Sequence, residues 1–376
     1  MLNSWQQKYV KLKNITIMKE QEIKILEFLD TTSLSVSQIA KEVSLSKEEV
    51  IDILVKNKYY RLADNPNAKL FSVKKLREAA EFYVDNYGQI DYHDVVNKFS
   101  IERFVFKHYL EKWYPDYPIF RYLGYNQLVF DNIDTEEKAY WLGFLYADGC
   151  IEKRENSYRF EMSVADKDKE HLDKFAKFID YKREIYTKNA LFEGQVKPQK
   201  RITLTGKHFY DKLNDLGCTP NKSLTLTFPD ISIFKDKSLI RHFIRGYFDG
   251  DGCVGIYSRA NSNKIYKKPM FNLLGTQEFL DKLNKYIPVP KKVDSCNTPN
   301  FPSKAFRMQA VCRDALAFLF YIYHNSTIYL NRKFDKYKDI CRLYEELYKE
   351  LVSKIGEPCD ENVELIASIA KGEATV

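Results

Sequence analysis

Two copies of one short phrase constrain the fold of this chain more than any other feature of its sequence. Residues 141–149 read WLGFLYADG and residues 244–252 read IRGYFDGDG. Neither copy contains proline and each ends in Asp-Gly, so we predict two helices that stop at Asp148 and Asp251. These carboxylates hold equivalent places 103 positions apart, which predicts two pseudo-symmetric halves within one chain.

Small residues recur four positions apart inside each predicted helix, as Gly143 with Ala147 and as Gly246 with Gly250. A glycine within a helix costs roughly 1 kcal/mol relative to alanine. Residues four apart share one face of a helix, and close approach of the two helix backbones is the expected compensation. Helices packed in this way bring the two carboxylates side by side.

Paired carboxylates predict a cation site, because they repel each other and the C-terminal ends of the helix dipoles add negative charge. Hard oxygen ligands favour Mg²⁺. The backbone carbonyls of Ala147 and Gly250 stand just before the acids. We therefore predict a Mg²⁺ site made of Asp148, Asp251 and these two carbonyls.

The ends of the first helix carry signals of their own. Asp134 is expected to cap its start, with Glu137 as the reciprocal partner in a capping box. Gly149 is expected to end it in the left-handed conformation that glycine adopts without strain.

The two phrases resemble the LAGLIDADG motif of homing endonucleases of the single-chain, two-motif type. In that family the second acid of the motif binds metal, which is Asp148 in one copy and Asp251 in the other. The first copy departs from the motif at its first acid, where Tyr146 stands, and this makes the two halves unequal.

The resemblance covers about residues 134–337 and implies an α+β fold. Two pseudo-symmetric αββαββα halves would form an antiparallel-sheet saddle on double-stranded DNA. It also implies intron homing by a monomer that makes Mg²⁺-dependent double-strand breaks in a long asymmetric target, with one strand cut per aspartate. Such a chain acts without a symmetric partner, because both halves lie in one polypeptide.

Phosphodiester hydrolysis also needs positive charge near the transition state. Members of the family carry a lysine for this purpose upstream of the second motif, and the matching stretch here contains Lys222. The corresponding place in the second half contains Arg332 and Lys333. The resemblance thus implies Lys222 and Lys333 as catalytic residues, with Arg332 as a rival to Lys333.

Positive charge is concentrated with the repeated phrase. The chain has a net charge of +7, while residues 131–337 hold 35 basic and 26 acidic residues, a balance of +9. A phosphate-binding surface requires such an excess. The predicted contacts from the strands and hairpins to DNA are Arg154, Arg159, Lys188, Lys197, Lys200, Arg259, Lys264, Lys267, Lys268 and Arg307.

The first 115 residues predict a helical region with one or two helix-turn-helix units. A first pair covers Val36–Val43 and Lys47–Val55, and Ser46 with Glu49 forms a capping box before its second helix. A second helix-turn-helix unit is expected from three helices at Ser72–Asn86, Tyr92–Phe99 and Ile101–Trp113, with a break at Ser100. The predicted DNA contacts of this region are Lys47, Arg103 and Lys107.

The predicted organisation is a helical region at 1–115, a connector at 116–133, halves at 134–235 and 236–337, and a last segment at 338–376. That segment predicts a helix over Lys338–Ile355 and an acidic tail. No apolar run approaches the roughly 20 residues of a membrane helix. An odd count of seven cysteines without a CxxC pair favours a reducing, intracellular (cytoplasmic) location and argues against structural disulfides.

Two other functions stay open at the level of sequence. Some bacterial regulators combine a worn LAGLIDADG fold with a helix-turn-helix, which would make this a DNA-binding transcriptional regulator. Their metal-binding acids are typically lost, whereas Asp148 and Asp251 are present here. An intron RNA maturase uses the same fold, and binding to intron RNA would distinguish it from a nuclease that acts on DNA alone.

Overall fold

The computed structural model of the protein describes residues 19–28, 36–57, 59–60, 71–88, 90–117, 119, 122–155, 157–192, 195–261, 264–297 and 304–373. The chain divides into two compact units, Met1–Tyr122 and Leu123–Val376. Within the described residues no helix is both long and apolar enough to cross a membrane.

The first unit is mainly helical and contains two small apolar cores. One core lies among the helices of residues 19–56 and the other among the helices of residues 73–113. The elements are α1 (19–28), α2 (Val36–Glu42), α3 (Lys47–Lys56), β1 (Tyr59–Tyr60), β2 (Phe71–Ser72), α4 (Val73–Asp85), α5 (Tyr92–Lys98) and α6 (Arg103–Trp113).

The same kind of turn joins α2 to α3 and α5 to α6. In each turn a serine takes positive φ, Ser44 at 55° and Ser100 at 49°. The residue after each serine donates its N–H back to the preceding helix. The capping box is confirmed: the Ser46 N–H donates to Glu49 at 2.8 Å, and the Glu49 N–H donates to the Ser46 hydroxyl at 3.1 Å.

The second unit contains two halves with the same order of elements, αββαββα, so the predicted α+β fold class is confirmed. The first half is α7 (Glu136–Asp148), β3 (Gly149–Arg154), β4 (Ser157–Ala165), α8 (Lys169–Phe178), β5 (Tyr186–Phe192), β6 (Gln195–Thr205) and α9 (Lys207–Asp215). The second is α10 (Ile240–Asp251), β7 (Gly252–Asn261), β8 (Lys264–Gly275), α11 (Gln277–Leu283), β9 (Val293–Ser295), β10 (Phe306–Val311) and α12 (Cys312–Tyr323).

Each half builds one four-stranded antiparallel sheet, and the strand orders β3-β4-β6-β5 and β7-β8-β10-β9 are equivalent. Side chains alternate between the two faces of a strand. In β4, Phe160 and Met162 are buried under the helices, while Arg159 and Glu161 point to the opposite side. We call this opposite side the outward face of each sheet. One apolar core runs through both halves.

The first motif helix begins and ends differently from the prediction. Thr135, not Asp134, is its N-cap and accepts the Lys138 N–H, whereas Asp134 accepts from the Lys138 ammonium at 2.7 Å. Gly149 is extended, with φ −76° and ψ 141°, so the expected left-handed conformation is wrong. Glycine is required for space instead, because an added Cβ would lie 2.6 Å from the Leu145 carbonyl oxygen.

The segment after the second half is more divided than predicted. In place of one helix over Lys338–Ile355, α13 (Asn331–Leu343) and α14 (Glu345–Ile355) meet at Tyr344. A further helix, α15 (Val363–Lys371), lies in the acidic tail and packs on α12.

Candidate active site at the paired helix ends

The two motif helices touch through their small residues. A Cβ added at Gly143 would fall less than 3.0 Å from the Phe243 carbonyl oxygen, and one at Gly246 equally close to the Tyr140 carbonyl oxygen. A Cβ at Gly250 would collide with the side chain of Ala147. The backbones of α7 and α10 are therefore in direct contact at Gly143 and Gly246, and Gly250 packs on the Ala147 side chain, so all four predicted residues lie at the helix interface.

This contact brings the last residues of the two helices together. A Cβ at Gly250 would lie 3.5 Å from an Asp148 carboxylate oxygen, across the helix pair. Both Asp148 and Asp251 are exposed at the surface. Desolvation by the neighbouring protein nevertheless raises the pKa of Asp148 to about 6, and the charge of Asp251 adds to the effect. Desolvation likewise raises the pKa of Asp251, against the lowering effect of the lysine charges.

A buried lysine reaches the backbone of the last residue of each motif, just after the aspartate. Lys222 lies on a 3₁₀ turn between the halves, and its ammonium donates to the Gly149 carbonyl. Lys333 lies in the first turn of α13, and its ammonium donates to the equivalent Gly252 carbonyl. The structure thus brings both predicted lysines to matching places in the two halves. Burial lowers the pKa of Lys333 to about 8.

The rival arginine lies elsewhere. The Arg332 Nε donates to the two Asp168 carboxylate oxygens at 3.0 and 3.2 Å, and its side chain is half exposed. Lys333 also donates to the Phe248 and Asp249 carbonyls at 2.7 and 2.8 Å. Of the two neighbours, Lys333 is the one that contacts the motif.

The donor set suits a metal that completes its coordination from elsewhere. Among the described residues no cluster of three or more His, Cys, Asp or Glu side chains could hold an ion. Two carboxylates that repel each other remain, with backbone carbonyls beside them. Mg²⁺ commonly binds through one or two carboxylates and takes water and substrate phosphate oxygens as its other ligands. The Gly250 carbonyl is 3.5 Å from the Lys333 ammonium, and metal binding by it and by Ala147 stays a prediction.

The sixth residue of each motif, Tyr146 or Asp249, makes a hydrogen bond to the loop that carries the lysine of that half. In the second motif, Asp249 is buried and accepts the Leu330 N–H at 2.7 Å, three residues before Lys333. In the first motif, the Tyr146 hydroxyl donates to the Leu216 carbonyl, at the start of the loop that leads to Lys222. The side chain is a donor in the first half and an acceptor in the second, but in both halves it holds the loop by a hydrogen bond to the backbone. Sequence reasoning noticed the mismatch and missed this role.

A buried polar network surrounds Asp249. Its carboxylate also accepts from the Tyr140 hydroxyl at 2.8 Å and from the Tyr323 hydroxyl. The Tyr140 oxygen lies 3.0 Å from His171 Nε2. The matching place around Tyr146 is aromatic instead, with the Phe243 ring 4.9 Å away at an angle of 85°. Equivalent places on the two motif helices therefore make a polar contact in one half and an aromatic contact in the other.

Arg245 extends the network along α10 and was also missed from the sequence. It is fully buried and donates to the Ile328 carbonyl and the Ile322 carbonyl, each at 2.9 Å. Its remaining nitrogen pairs with Glu136 at 2.7 Å. The signal was an arginine at the second position of the motif, and its role depends on the carbonyls of Ile322 and Ile328, which lie far away in the sequence.

The predicted DNA contacts divide by location. Arg154, Arg159, Lys188, Lys197, Lys268 and Arg307 lie on outward-face positions of the strands. Lys200 lies on the opposite side, where it donates to the Thr187 hydroxyl at 2.8 Å and approaches Asp166 at 3.5 Å. Lys267 shares the side of Phe271 but is exposed. The side chains of Arg259 and Lys264 lie outside the described residues.

Two further findings concern the basic residues. Arg201 also lies on the outward face and was not predicted; its guanidinium pairs with Glu161 at 2.8 Å. In the first unit, Lys47 on α3 and both Arg103 and Lys107 on α6 are exposed. Their contact with DNA stays a prediction.

Comparison with known proteins gives limited matches. No family model matches the chain. The uncharacterized protein MJ0314 of Methanocaldococcus jannaschii is 29% identical over 138 residues, which is 35% of this chain and 46% of that protein. The match thus spans less than half the length of this relative.

Solved structures similar to the chain include the I-LtrWI LAGLIDADG homing endonuclease bound to target DNA, with 12% identity and a TM-score of 0.40. That match covers 64% of this chain and 99% of the other. The I-SmaMI LAGLIDADG homing endonuclease bound to cleaved DNA has 12% identity and a TM-score of 0.39, over 63% of this chain and 97% of the other.

Proposed function

We propose that this protein is a site-specific homing endonuclease that hydrolyses one phosphodiester bond in each strand of a long, asymmetric DNA duplex. One observation carries the proposal. Two touching helices end in Asp148 and Asp251, and a buried lysine lies on the backbone immediately after each of them. A pair of equivalent sites suits a substrate with two equivalent strands.

The residues would divide the chemistry between them. Asp148 and Asp251 would hold Mg²⁺, with the carbonyls of Ala147 and Gly250 as further oxygen donors. When bound, the metal acts as a Lewis acid on the phosphoryl group. Lys222 and Lys333 hold fixed positive charge at the site, where it opposes the negative charge that develops in the transition state. Their burial keeps this charge in place without reorganisation.

The substrate is inferred from charge and from the arrangement of the sheets. The balance of +9 in residues 131–337 suits a polyanion. The two equivalent sheets begin directly after the two aspartates, so their outward faces would extend along a duplex centred on the site in both directions. Lys47, Arg103 and Lys107 of the first unit would lengthen the bound segment. The protein would act as a monomer, because one chain holds both halves.

The test is cleavage of a plasmid that carries the insertion locus rebuilt without this gene or its intron. Purified protein and Mg²⁺ should convert it to a linear product, and Asp251→Ala should not. Arg332→Ala serves as a matched control that keeps cleavage, because Arg332 pairs with Asp168 and not with the motif. Tight binding without any nick would refute the nuclease and point to a regulator. Preferential binding to intron RNA would point to a maturase.

The two halves are predicted to cut unequally. Tyr146 and Asp249 hold the two lysine loops by different hydrogen bonds, so the two sites differ in their supporting side chains and in charge. Single variants Asp148→Ala and Asp251→Ala should therefore leave different rates of nicking, measured as conversion of supercoiled to open-circular plasmid. Equal loss in both variants would contradict this prediction.

A further inference from the structure

A lysine of the first half holds the loop that leads to the lysine of the second half. We call residues 327–331 the second lysine loop. The Lys174 ammonium, on α8, donates to the Tyr329 carbonyl at 3.1 Å and to the Asn331 Oδ1 at 2.7 Å. It also lies 5.4 Å from the centroid of the Tyr329 ring, within the range of a cation–π contact. Lys174 is partly buried, and hydrogen bonds sheltered from water are stronger than exposed ones.

The position of Asn331 constrains the position of Lys333. Asn331 is the first residue of α13, and Lys333 lies two residues later in the same helical turn. Because a helix fixes the residues of one turn relative to each other, a shift of Asn331 moves Lys333 with it. The Lys333 ammonium donates to the Gly252 carbonyl, directly after Asp251. Lys174 therefore constrains, through Asn331, the positive charge beside the second motif.

The helix α8 reaches the second lysine loop by another route as well. His171, three residues before Lys174, is buried, and its Nε2 lies 3.0 Å from the Tyr140 oxygen. The Tyr140 hydroxyl donates to Asp249, which accepts the Leu330 N–H. Residues three apart share one face of a helix. One face of α8 thus holds three consecutive residues of the loop.

The lysine loop of the first half is held by different chemistry. The hydroxyl of Thr276, at the start of the matching helix α11 of the second half, donates to the Leu226 carbonyl. Leu226 lies four residues after Lys222. Each lysine loop thus contacts the opposite half, through an ammonium group in one case and a hydroxyl group in the other.

We propose that Lys174 of the first half is a positioning residue for the strand cut that depends on Lys333 of the second half. The second site is then complete only when α8 of the first half holds its loop. The Arg332–Asp168 pair joins the same elements, but Arg332 is half exposed, and such pairs contribute little. This proposal rests on the proposed function, since it assumes that Lys333 assists cleavage.

The test is the rate at which each strand is nicked by the full-length chain with Mg²⁺, measured on a target duplex with a different label on each strand. Lys174→Met keeps the length of the side chain and removes the ammonium group. It should slow the strand that Lys333→Met affects by about tenfold to a hundredfold, because a small misplacement of a catalytic group has effects of that size. The other strand should be cut at the wild-type rate.

Two further variants of α8 separate positioning from general stability. Lys174→Arg keeps the charge and the donors, so it should recover most of the lost rate. Lys177→Met is the matched control, because Lys177 is exposed on the same helix, and it should cut both strands at the wild-type rates.

A variant on the loop side keeps the test decisive if Lys174→Met fails to fold. Asn331→Ala removes the acceptor and should slow the same strand. The double variant should lose no more rate than Lys174→Met alone, because both changes act through one contact. Equal slowing of both strands, fully additive losses, or wild-type rates on both strands would overturn the inference. A wild-type protein that cuts neither strand of its target would instead refute the proposed function.

Discussion

Replacing Asp148 by asparagine is expected to stabilise the metal-free protein at neutral pH. The pKa of this carboxyl rises from its ordinary value of 3.8 to about 6, because the protein desolvates it and Asp251 stands nearby. A group that ionises less readily in the folded state than in the unfolded state destabilises the fold once it is charged. The substitution keeps the shape of the side chain and removes that charge.

The magnitude follows from the pKa shift. A tenfold change in proton affinity corresponds to about 1.4 kcal/mol, so a shift from 3.8 to about 6 sets a ceiling of about 3 kcal/mol. Because the side chain reaches solvent, screening reduces this figure, and we expect about 1–2 kcal/mol. The sign depends on pH. The stabilisation by Asp148→Asn is absent below pH 3.8, where the wild-type carboxyl is protonated in both the folded and the unfolded state. It is complete above pH 6, where the carboxyl is ionised in both states.

The assay is urea unfolding of wild type and Asp148→Asn at a series of pH values with a chelator present. The difference in free energy of unfolding should grow as the pH rises from 4 to 7. Added Mg²⁺ should then stabilise the wild type more than the variant, since ligand binding to the folded state adds stability. Asp173→Asn, at an exposed position on α8, is the matched control. A variant that is less stable than wild type at pH 7 without metal would refute the reasoning.

Three further predictions concern the site and its support. Lys333→Met should abolish cutting of one strand and leave DNA binding unchanged within a few fold. In the wild type, the rate of that cut should fall above about pH 8, where Lys333 loses its proton. A nicking assay at a series of pH values on both sides of pH 8 checks this. Gly143→Ala should lower the free energy of unfolding by about 1–3 kcal/mol or more, because its Cβ meets backbone, whereas Gly255→Ala meets only the Tyr257 ring at 3.4 Å and should change little. Asp249→Ala should cost about 3–5 kcal/mol, because its buried donors lose their acceptor; a loss below about 1 kcal/mol in denaturant unfolding would show that the network is dispensable.

Much of the site could be predicted because its determinants are local. A helix that ends in Asp-Gly places its carboxylate by its own geometry, and the spacing of Gly143 with Ala147 states which face approaches a partner. The repeat supplies that partner. The capping box at Ser46 is equally local, and it is present. These features need only a few consecutive residues for their meaning.

Features that depend on distant residues could not be predicted. The sequence assigned no role to Asp249, and only the fold shows the Leu330 N–H beside it. Arg245 gains its role from carbonyls that lie about eighty residues later in the chain. The predicted left-handed conformation of Gly149 was wrong for a related reason. The strand that follows it requires an extended backbone, which overrides the usual left-handed end of a helix.

The unequal halves explain how one chain can keep a single arrangement. Tyr140 of the first half donates to Asp249 of the second, whereas Tyr146 of the first half packs on Phe243 of the second. If the second half paired with its own copy, each Asp249 would face Phe243 and lose the Tyr140 hydroxyl, and if the first half did so, Tyr140 would face Tyr146 and lose its carboxylate partner. A buried polar group without its partner costs more than the pair contributes. The network around Asp249 therefore favours the pairing of the two unlike halves, and with it a site whose two lysine loops are held by different side chains.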